Sequence, residues 1–265
     1  MIIRQSTIGN ADICLRRMQY DLETPRDTYH SGVVRAMGTA YHADLEHVYQ
    51  TLRAGGTVPN LIEQCGVAVD CFENEVRMAG ENFQWNDKFP TQIDAMAVVS
   101  EMISAYQPHI WRDWEILGIE LSFDIPWGPH MKHGTMDLAL RDPHGWIYGV
   151  DHKTAGKMWP EKKSQPRANN QAPFYSGALR DLFPGAPGYG FIFDIMTYGL
   201  KFERRVTYPT VEHIANVEDK AIQVASLYEG MRSNGLELPT NASSNLCSEQ
   251  FCDFWDVCPA GSSAL

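Results

Sequence analysis

The chain has 265 residues, 44% of them hydrophobic, enough to bury a substantial core within one domain. Lysine and arginine number 22 against 33 aspartate and glutamate, a net charge of −11, which excludes broad adhesion to a polyanion and confines any nucleic-acid contact to a local patch. No run of about eighteen apolar residues occurs, and MIIRQSTIGNADIC lacks a basic start followed by an apolar stretch, so a cytoplasmic protein with no membrane partner is expected.

Ser6 and Thr7 open the first predicted helix, IGNADICLRRMQYDLE, in which Ile8, Ala11, Leu15 and Met18 fall roughly at helical spacing. Cys14, Arg17 and Tyr20 ride on it. A second helix is expected from about Arg35 to Arg53, stopping near Gly55 and Gly56. Gly38, His42 and Glu46 recur every four residues and so share one face. A lone helical histidine is ordinarily a surface or core residue, so His42 takes its meaning from its company.

Residues 61–80 and 91–114 carry further helical periodicity, with Met96, Val99, Met102, Ile103 and Tyr106 forming an apolar stripe. The stretch 55–115 reads as a helical insertion or a set of packing helices. Cys65 and Cys71, six apart, do not share a helical face and read as core cysteines. Trp114 to Trp127 alternates like one or two strands, with Glu120 a further acid near the hairpin beyond it.

The stretch from His133 to Thr154, HGTMDLALRDPHGWIYGVDHKT, reads as that hairpin. Met136 to Arg141 and Trp146 to Val150 are strand-like, and Asp142-Pro143-His144-Gly145 between them suits a turn. Asp137 and Asp151 each lie seven residues from His144, so folding there brings them opposite each other or within one residue of it. Lys153, two residues beyond Asp151, points to the same face. Two close carboxylates raise one another's pKa unless a cation lies between them, and a hard ion such as Mg2+ fits that gap. The bland alternative makes these turn-flanking surface acids with a solvated lysine.

From Asp151 to Asn170 the charge balance reverses, with Lys157, Lys162, Lys163 and Arg167 around Trp159. Such a loop offers cations to a phosphate backbone and an aromatic to unstacked bases. The alternative is a solvated basic surface. A helix from about Asn169 to Leu182 places Gln171 and Tyr175 on one face. Gly190–Tyr198 and Phe202–Tyr208 read as strands, and Val211 to Met231 as a long amphipathic helix.

Six cysteines in a cytosolic chain speak for metal ligation or burial over a disulfide scaffold. The tail NLCSEQFCDFWDVCP spaces Cys247, Cys252 and Cys258 as C-x4-C-x5-C. Three thiolates need a fourth ligand for zinc or a cubane cluster, and Cys14 is the candidate, which would join residues 245–258 to the N-terminal helix. Packing between Phe251, Phe254 and Trp255 is the alternative.

In this order and with these gaps, the motifs GTAYHADLE (38–46), GTMD (134–137), DHK (151–153), QAPFY (171–175) and the one-plus-three cysteines resemble the RecB-like branch of the PD-(D/E)xK nucleases, especially its iron-sulfur members, AddB-type domains and CRISPR-associated exonucleases. The resemblance spans Ser6 to Cys258. It implies an α/β, restriction-endonuclease-like mixed sheet flanked by helices, with the chain's two ends joined by a four-cysteine cluster.

It further implies that His42, Asp137, Asp151 and the main-chain carbonyl of His152 hold one or two Mg2+ or Mn2+ ions. Lys153 then orients or helps deprotonate the attacking water, while Gln171 and Tyr175 position the DNA strand or the lysine. Cys14, Cys247, Cys252 and Cys258 carry a [4Fe-4S] cluster by the same resemblance. The relatives carry C-x2-C-x5-C, and the longer first gap here leaves zinc as the other occupant.

The activity so implied is a metal-dependent DNA exonuclease preferring single strands or free ends, in a setting such as phage recombination, DNA degradation or spacer acquisition. The absence of GxxxxGK[ST] excludes a built-in P-loop helicase, which leaves room for a separate helicase or recombinase partner. The rivals are a structure-specific endonuclease and a non-catalytic DNA-binding or assembly subunit.

Overall fold

The computed structural model of the protein describes residues 1–24, 32–249 and 251–262. In chain order the elements are β1 (Ile2–Ile3), α1 (Gln5–Ile13), α2 (Leu15–Glu23), α3 (Val33–Arg53), α4 (Leu61–Ala79), α5 (Gln92–Tyr106), β2 (Glu115–Trp127), β3 (His130–Arg141) and β4 (Ile147–Ala155). Beyond β4 come α6 (Gln171–Leu182), β5 (Tyr189–Thr197), β6 (Phe202–Thr207), α7 (Val211–Ser233) and the short α8 (Pro259–Ser262).

The strands form a six-stranded sheet in the order β1-β3-β4-β5-β6, with β2 paired to β3. Strands β4 and β5 are parallel, whereas β3/β4 and β5/β6 are antiparallel. A parallel pair needs a crossover, and α6 supplies it. Because a central strand is covered on both faces, β4 is buried from Ile147 to His152 and reads as an apolar run, not an alternation. This mixed sheet flanked by helices is the restriction-endonuclease-like α/β class that the motifs imply.

Contacts group the chain into two compact units. One comprises Met1–Tyr29, Phe123–Gly134 and Thr210–Leu265, the other His30–Ser122 and Thr135–Pro209. The second unit holds the larger core. Helix α3 buries Val33, Ala36, Met37, Ala40, Tyr41, Leu45, Val48 and Tyr49, the three-and-four spacing of an amphipathic helix. These pack with Phe72 of α4, Val99, Met102 and Ile103 of α5, and Leu138, Val150 and Ile192 of the sheet. The 55–115 stretch is therefore core-forming. Asn60 and Thr91 cap α4 and α5, accepting the main-chain N–H of Glu63 at 3.1 Å and of Asp94 at 3.3 Å. Helix α5 ends at Tyr106, earlier than periodicity to residue 114 implies, and Gln107–His109 form a 3-10 turn. Pro108 removes a donor and obstructs the preceding turn. Cys65 and Cys71 are half-buried, less enclosed than the core reading of them.

In the first unit the single helix expected after Thr7 is two. Cys14 is extended (φ −164°, ψ 124°), closing α1 and opening α2. The cap also differs: Arg4 is the N-cap, and its N–H donates to Thr7 Oγ1 at 3.2 Å. The break has a partner to explain it. Arg16, in the first turn of α2, donates its main-chain N–H to Pro239 O (3.2 Å) and its Nε to Leu238 O (2.6 Å). The Asn241 side chain donates to Ile13 O at 2.9 Å. A continuous helix would hold those groups within its own ladder. Among the described residues, no helix is long and apolar enough to cross a membrane.

Candidate active site

The turn comes first, because it sets the register. Gly145 takes φ 87°, where a side chain is strained. Its N–H donates to Asp142 O, and Asp142 N–H donates to Trp146 O, both at 3.0 Å. Pairing then runs from Arg141↔Ile147 to Leu138↔Val150. One further step of that register sets Asp137 level with Asp151, as the seven-and-seven spacing predicts.

Around these two acids the second unit gathers the other motif residues. The main-chain N–H of His152 donates to Asp137 Oδ2 at 2.7 Å. His42 Nδ1, from α3, lies 3.4 Å from the same oxygen. The Lys153 ammonium donates to Asp151 Oδ1 at 2.9 Å and lies 2.8 Å from Oδ2. Gln171 Nε2 also donates to Asp151 Oδ1, at 2.7 Å, from the start of α6, where Asn169 Oδ1 accepts the Gln171 N–H. Tyr175 stacks on Phe191 at 5.6 Å, and burial followed by Asp151 and Asp137 raises its pKa.

The charges are unevenly compensated. Burial pushes the Asp151 carboxyl up; Lys153 opposes this and Asp137 reinforces it. Burial pulls the Lys153 pKa down, but Asp151 and Asp137 outweigh it and the net shift is upward, so the lysine is an ammonium here. Beside them lies an open cleft of about 390 Å³ lined by Arg35, Gly38, Thr39, His42, Glu46, Glu120 and Asp137. Glu120 has φ 43°, an uncommon conformation for a residue with a side chain. Its carboxyl is pushed up to about 7 by burial and by Asp137, Glu46 and Asp151. A hard set of carboxylates and one imidazole, carrying more negative charge than Lys153 and Arg35 neutralise, is the donor chemistry that suits a divalent cation. Among the described residues, no three His, Cys, Asp or Glu side chains already close on one point as an ion's ligands do. In this arrangement Lys153 occupies Asp151 and His152 N–H occupies Asp137.

Sequence reasoning overlooks the layer behind this face. Asp194 of β5, paired with His152 across the parallel ladder, is buried and accepts from Tyr106 Oη, Arg204 Nε and Arg204 Nη2, each at 2.7 Å. Tyr49 Oη is 3.2 Å from Tyr106 Oη, and its ring stacks on the His152 imidazole. Burial lowers the His152 pKa to about 4, so the ring is neutral. The available signal was one charge inside the apolar run GFIFDIMTY. Asp44 of α3 is also buried, with neither oxygen hydrogen-bonded among the described residues, and burial pushes it up to about 7.

The basic loop comes directly after β4. Lys157, Lys162, Lys163 and Arg167 are its cations, and Trp159 is half-buried against Phe193. In the first unit, Cys14, Cys247, Cys252 and Cys258 line one small apolar cavity with Ile13, Leu246 and Phe254. Asn241 N–H donates to Cys14 Sγ at 3.3 Å. Burial, then the other three thiols, raises the Cys247 pKa.

The mixed sheet thus carries an Asp and an Asp-x-Lys on adjacent strands, and a helical His and Gln approach them. The sequence model of the PD-(D/E)XK nuclease superfamily matches residues 14–259, and the chain belongs to that superfamily. Nucleases of this superfamily generally use divalent ions such as Mg2+ or Mn2+. No curated protein matches the sequence. Among solved structures, the chain is similar to a candidate exonuclease from Eubacterium rectale, with 11% identity, 93% of this chain and 91% of that one covered, and a TM-score of 0.42. It is similar also to SSO0001, with 12% identity, 92% and 93% covered, and a TM-score of 0.36. At such values the family match carries the assignment.

Proposed function

We propose that the protein is a metal-dependent DNA exonuclease acting on single strands or free ends, with both compact units serving one nuclease. The observation that carries this reading is the convergence of Lys153 Nζ and Gln171 Nε2 on Asp151, with Asp137 on the adjoining strand. His42, Asp137, Asp151 and the His152 carbonyl would hold one or two Mg2+ or Mn2+ ions. Such an ion, when bound, lowers the pKa of a water and neutralises charge developing on the phosphate.

The chain's own groups do the rest. His152 N–H fixes the Asp137 carboxylate, and Gln171 fixes Asp151. Lys153, an ammonium with three donors, orients the attacking water and faces the phosphate. Tyr175, buttressed by Phe191, bounds the strand's path. The basic loop supplies local positive charge to a chain that is acidic as a whole.

The four-thiol cavity is read as the seat of a [4Fe-4S] cluster, because four soft thiol donors line one small cavity together with the apolar Ile13, Leu246, Phe254 and Trp255 and the polar Arg17, Tyr20, Thr240 and Ser244. Protein purified without oxygen is then brown, with broad visible absorbance. Stoichiometric zinc without iron would replace the cluster and leave the nuclease reading intact.

The function is tested with labelled single-stranded DNA, linear and covalently closed, in Mg2+ or Mn2+. Loss of the linear form alone, at a rate that depends on metal, is expected, and the labelled end gives the polarity. Cutting of closed circles points to an endonuclease. Binding without any cutting points to an assembly subunit.

A further inference from the structure

Arg205 of β6 does more than pair with its neighbour. Its guanidinium bonds both oxygens of Glu203, at 2.7 and 2.9 Å, and also donates to the main-chain carbonyls of Trp159 (2.7 Å) and Pro160 (3.0 Å), 46 and 45 residues away in sequence. Those carbonyls belong to the basic loop after β4. Trp159 packs near Phe193, the residue paired with Arg205 across the β5/β6 ladder. It belongs to the same apolar cluster as Tyr175.

The Lys163 ammonium sits over the Trp159 ring, 3.9 Å from its centroid. That face of the indole is therefore covered, and Trp159 seats a cation where the sequence alone suggests a platform for bases. Burial, and after it the charge of Lys153, lowers the Lys163 pKa, so the two ammonium groups feel each other. Two cations held within electrostatic reach are eased by an anion shared between them.

We infer that Arg205 is a positioning residue for DNA: by tethering the Trp159–Pro160 main chain it holds Lys163, seated on the Trp159 ring, where its ammonium binds a phosphate adjoining the one cleaved. A planar fork suits this task, because it makes four hydrogen bonds at once, two to the Glu203 carboxylate and one to each carbonyl, one more than the three donors of a lysine allow. The inference rests on the DNA-nuclease reading above.

The test compares wild type, Lys163→Met, and the charge-neutral pair Glu203→Gln with Arg205→Met. The affinity for a labelled single-stranded oligonucleotide is measured against salt without divalent metal, alongside kcat and KM for cutting with metal. One lost phosphate contact lowers the slope of log K against log salt by about 0.7 for a single strand. Lys163→Met is expected to show that loss. The tether variant should show the same loss although its net charge is unaltered, and adding Lys163→Met to it should change nothing more. In both, the fall in kcat/KM lies mainly in KM. Where the tether variant does not fold, Arg205→Lys takes its place and should retain part of the slope.

A tether variant with the wild-type slope, or a loss that adds to that of Lys163→Met, overturns the inference. If wild type itself neither binds nor cuts DNA, the nuclease reading has failed instead. The two failures are thus distinguishable.

Discussion

Asp151 and Asp194 lie on neighbouring parallel strands, each buried and each facing a cation, yet they are built for opposite ends. Asp194 receives three hydrogen bonds at 2.7 Å from Tyr106 and a bidentate Arg204, donors fixed by their own packing. Asp151 has one lysine ammonium and one glutamine amide, and it shares its surroundings with Asp137. Saturated compensation makes a carboxylate part of the frame. Incomplete compensation beside an open cleft leaves negative charge that a divalent ion can take up, and a site that can do chemistry.

The two acids separate most visibly when each is truncated in turn. Asp151→Ala should lower DNA cutting by on the order of 10³-fold or more, measured by initial rates, with the fold retained. Asp194→Ala should instead destabilise the protein by about 3 kcal/mol, because it strands the half-buried Arg204 guanidinium; urea unfolding measures this. If Asp194→Ala is as stable as wild type, the assignment of frame and site is wrong.

A third buried acid extends the contrast, since among the described residues Asp44 has no hydrogen-bonding partner for either oxygen. Its folded pKa, about 7, lies above its ordinary value. The folded state therefore binds the proton more tightly than the unfolded chain does. That contribution is fully present below the ordinary carboxylate range and is lost as pH rises to about 7. Asp44→Asn should flatten the decline and stabilise the protein at pH 8 by on the order of 2 kcal/mol. Melting temperatures of both proteins between pH 4 and 8 would show it; parallel curves would contradict it.

The smallest effect belongs to the exposed charges. Replacing Lys162 and Lys163 by alanine should weaken DNA binding and reduce the salt slope by about 0.7 for each lysine that meets a phosphate. An unchanged slope returns the loop to an ordinary solvated surface.

How much of the fold and site was legible in the sequence depends on the range of the interactions. The Asp142–Gly145 turn is local, and it alone fixes the pairing that brings Asp137 level with Asp151. The period of a strand places Lys153 with Asp151, and that of a helix places His42 with Glu46. Asn60, Thr91 and Thr210 are caps that act within three residues. The hidden part depends on distant partners. Tyr106 reaches Asp194 across 88 residues, Arg205 reaches the loop across 46, and the break at Cys14 answers to carbonyls near residue 239. No local pattern encodes those meetings. Glu120 is intermediate: its charge was visible, whereas the positive φ and the acidic neighbours that raise its pKa were not.

The most direct test is Lys153→Ala, assayed in parallel for cutting and for binding of the same single-stranded DNA. The lysine touches Asp151 and is partly exposed, so its removal leaves the core intact. Cutting abolished with affinity within a few-fold of wild type is the expected result. Cutting that survives the substitution would contradict a hydrolytic centre built on the Asp151–Lys153 pair.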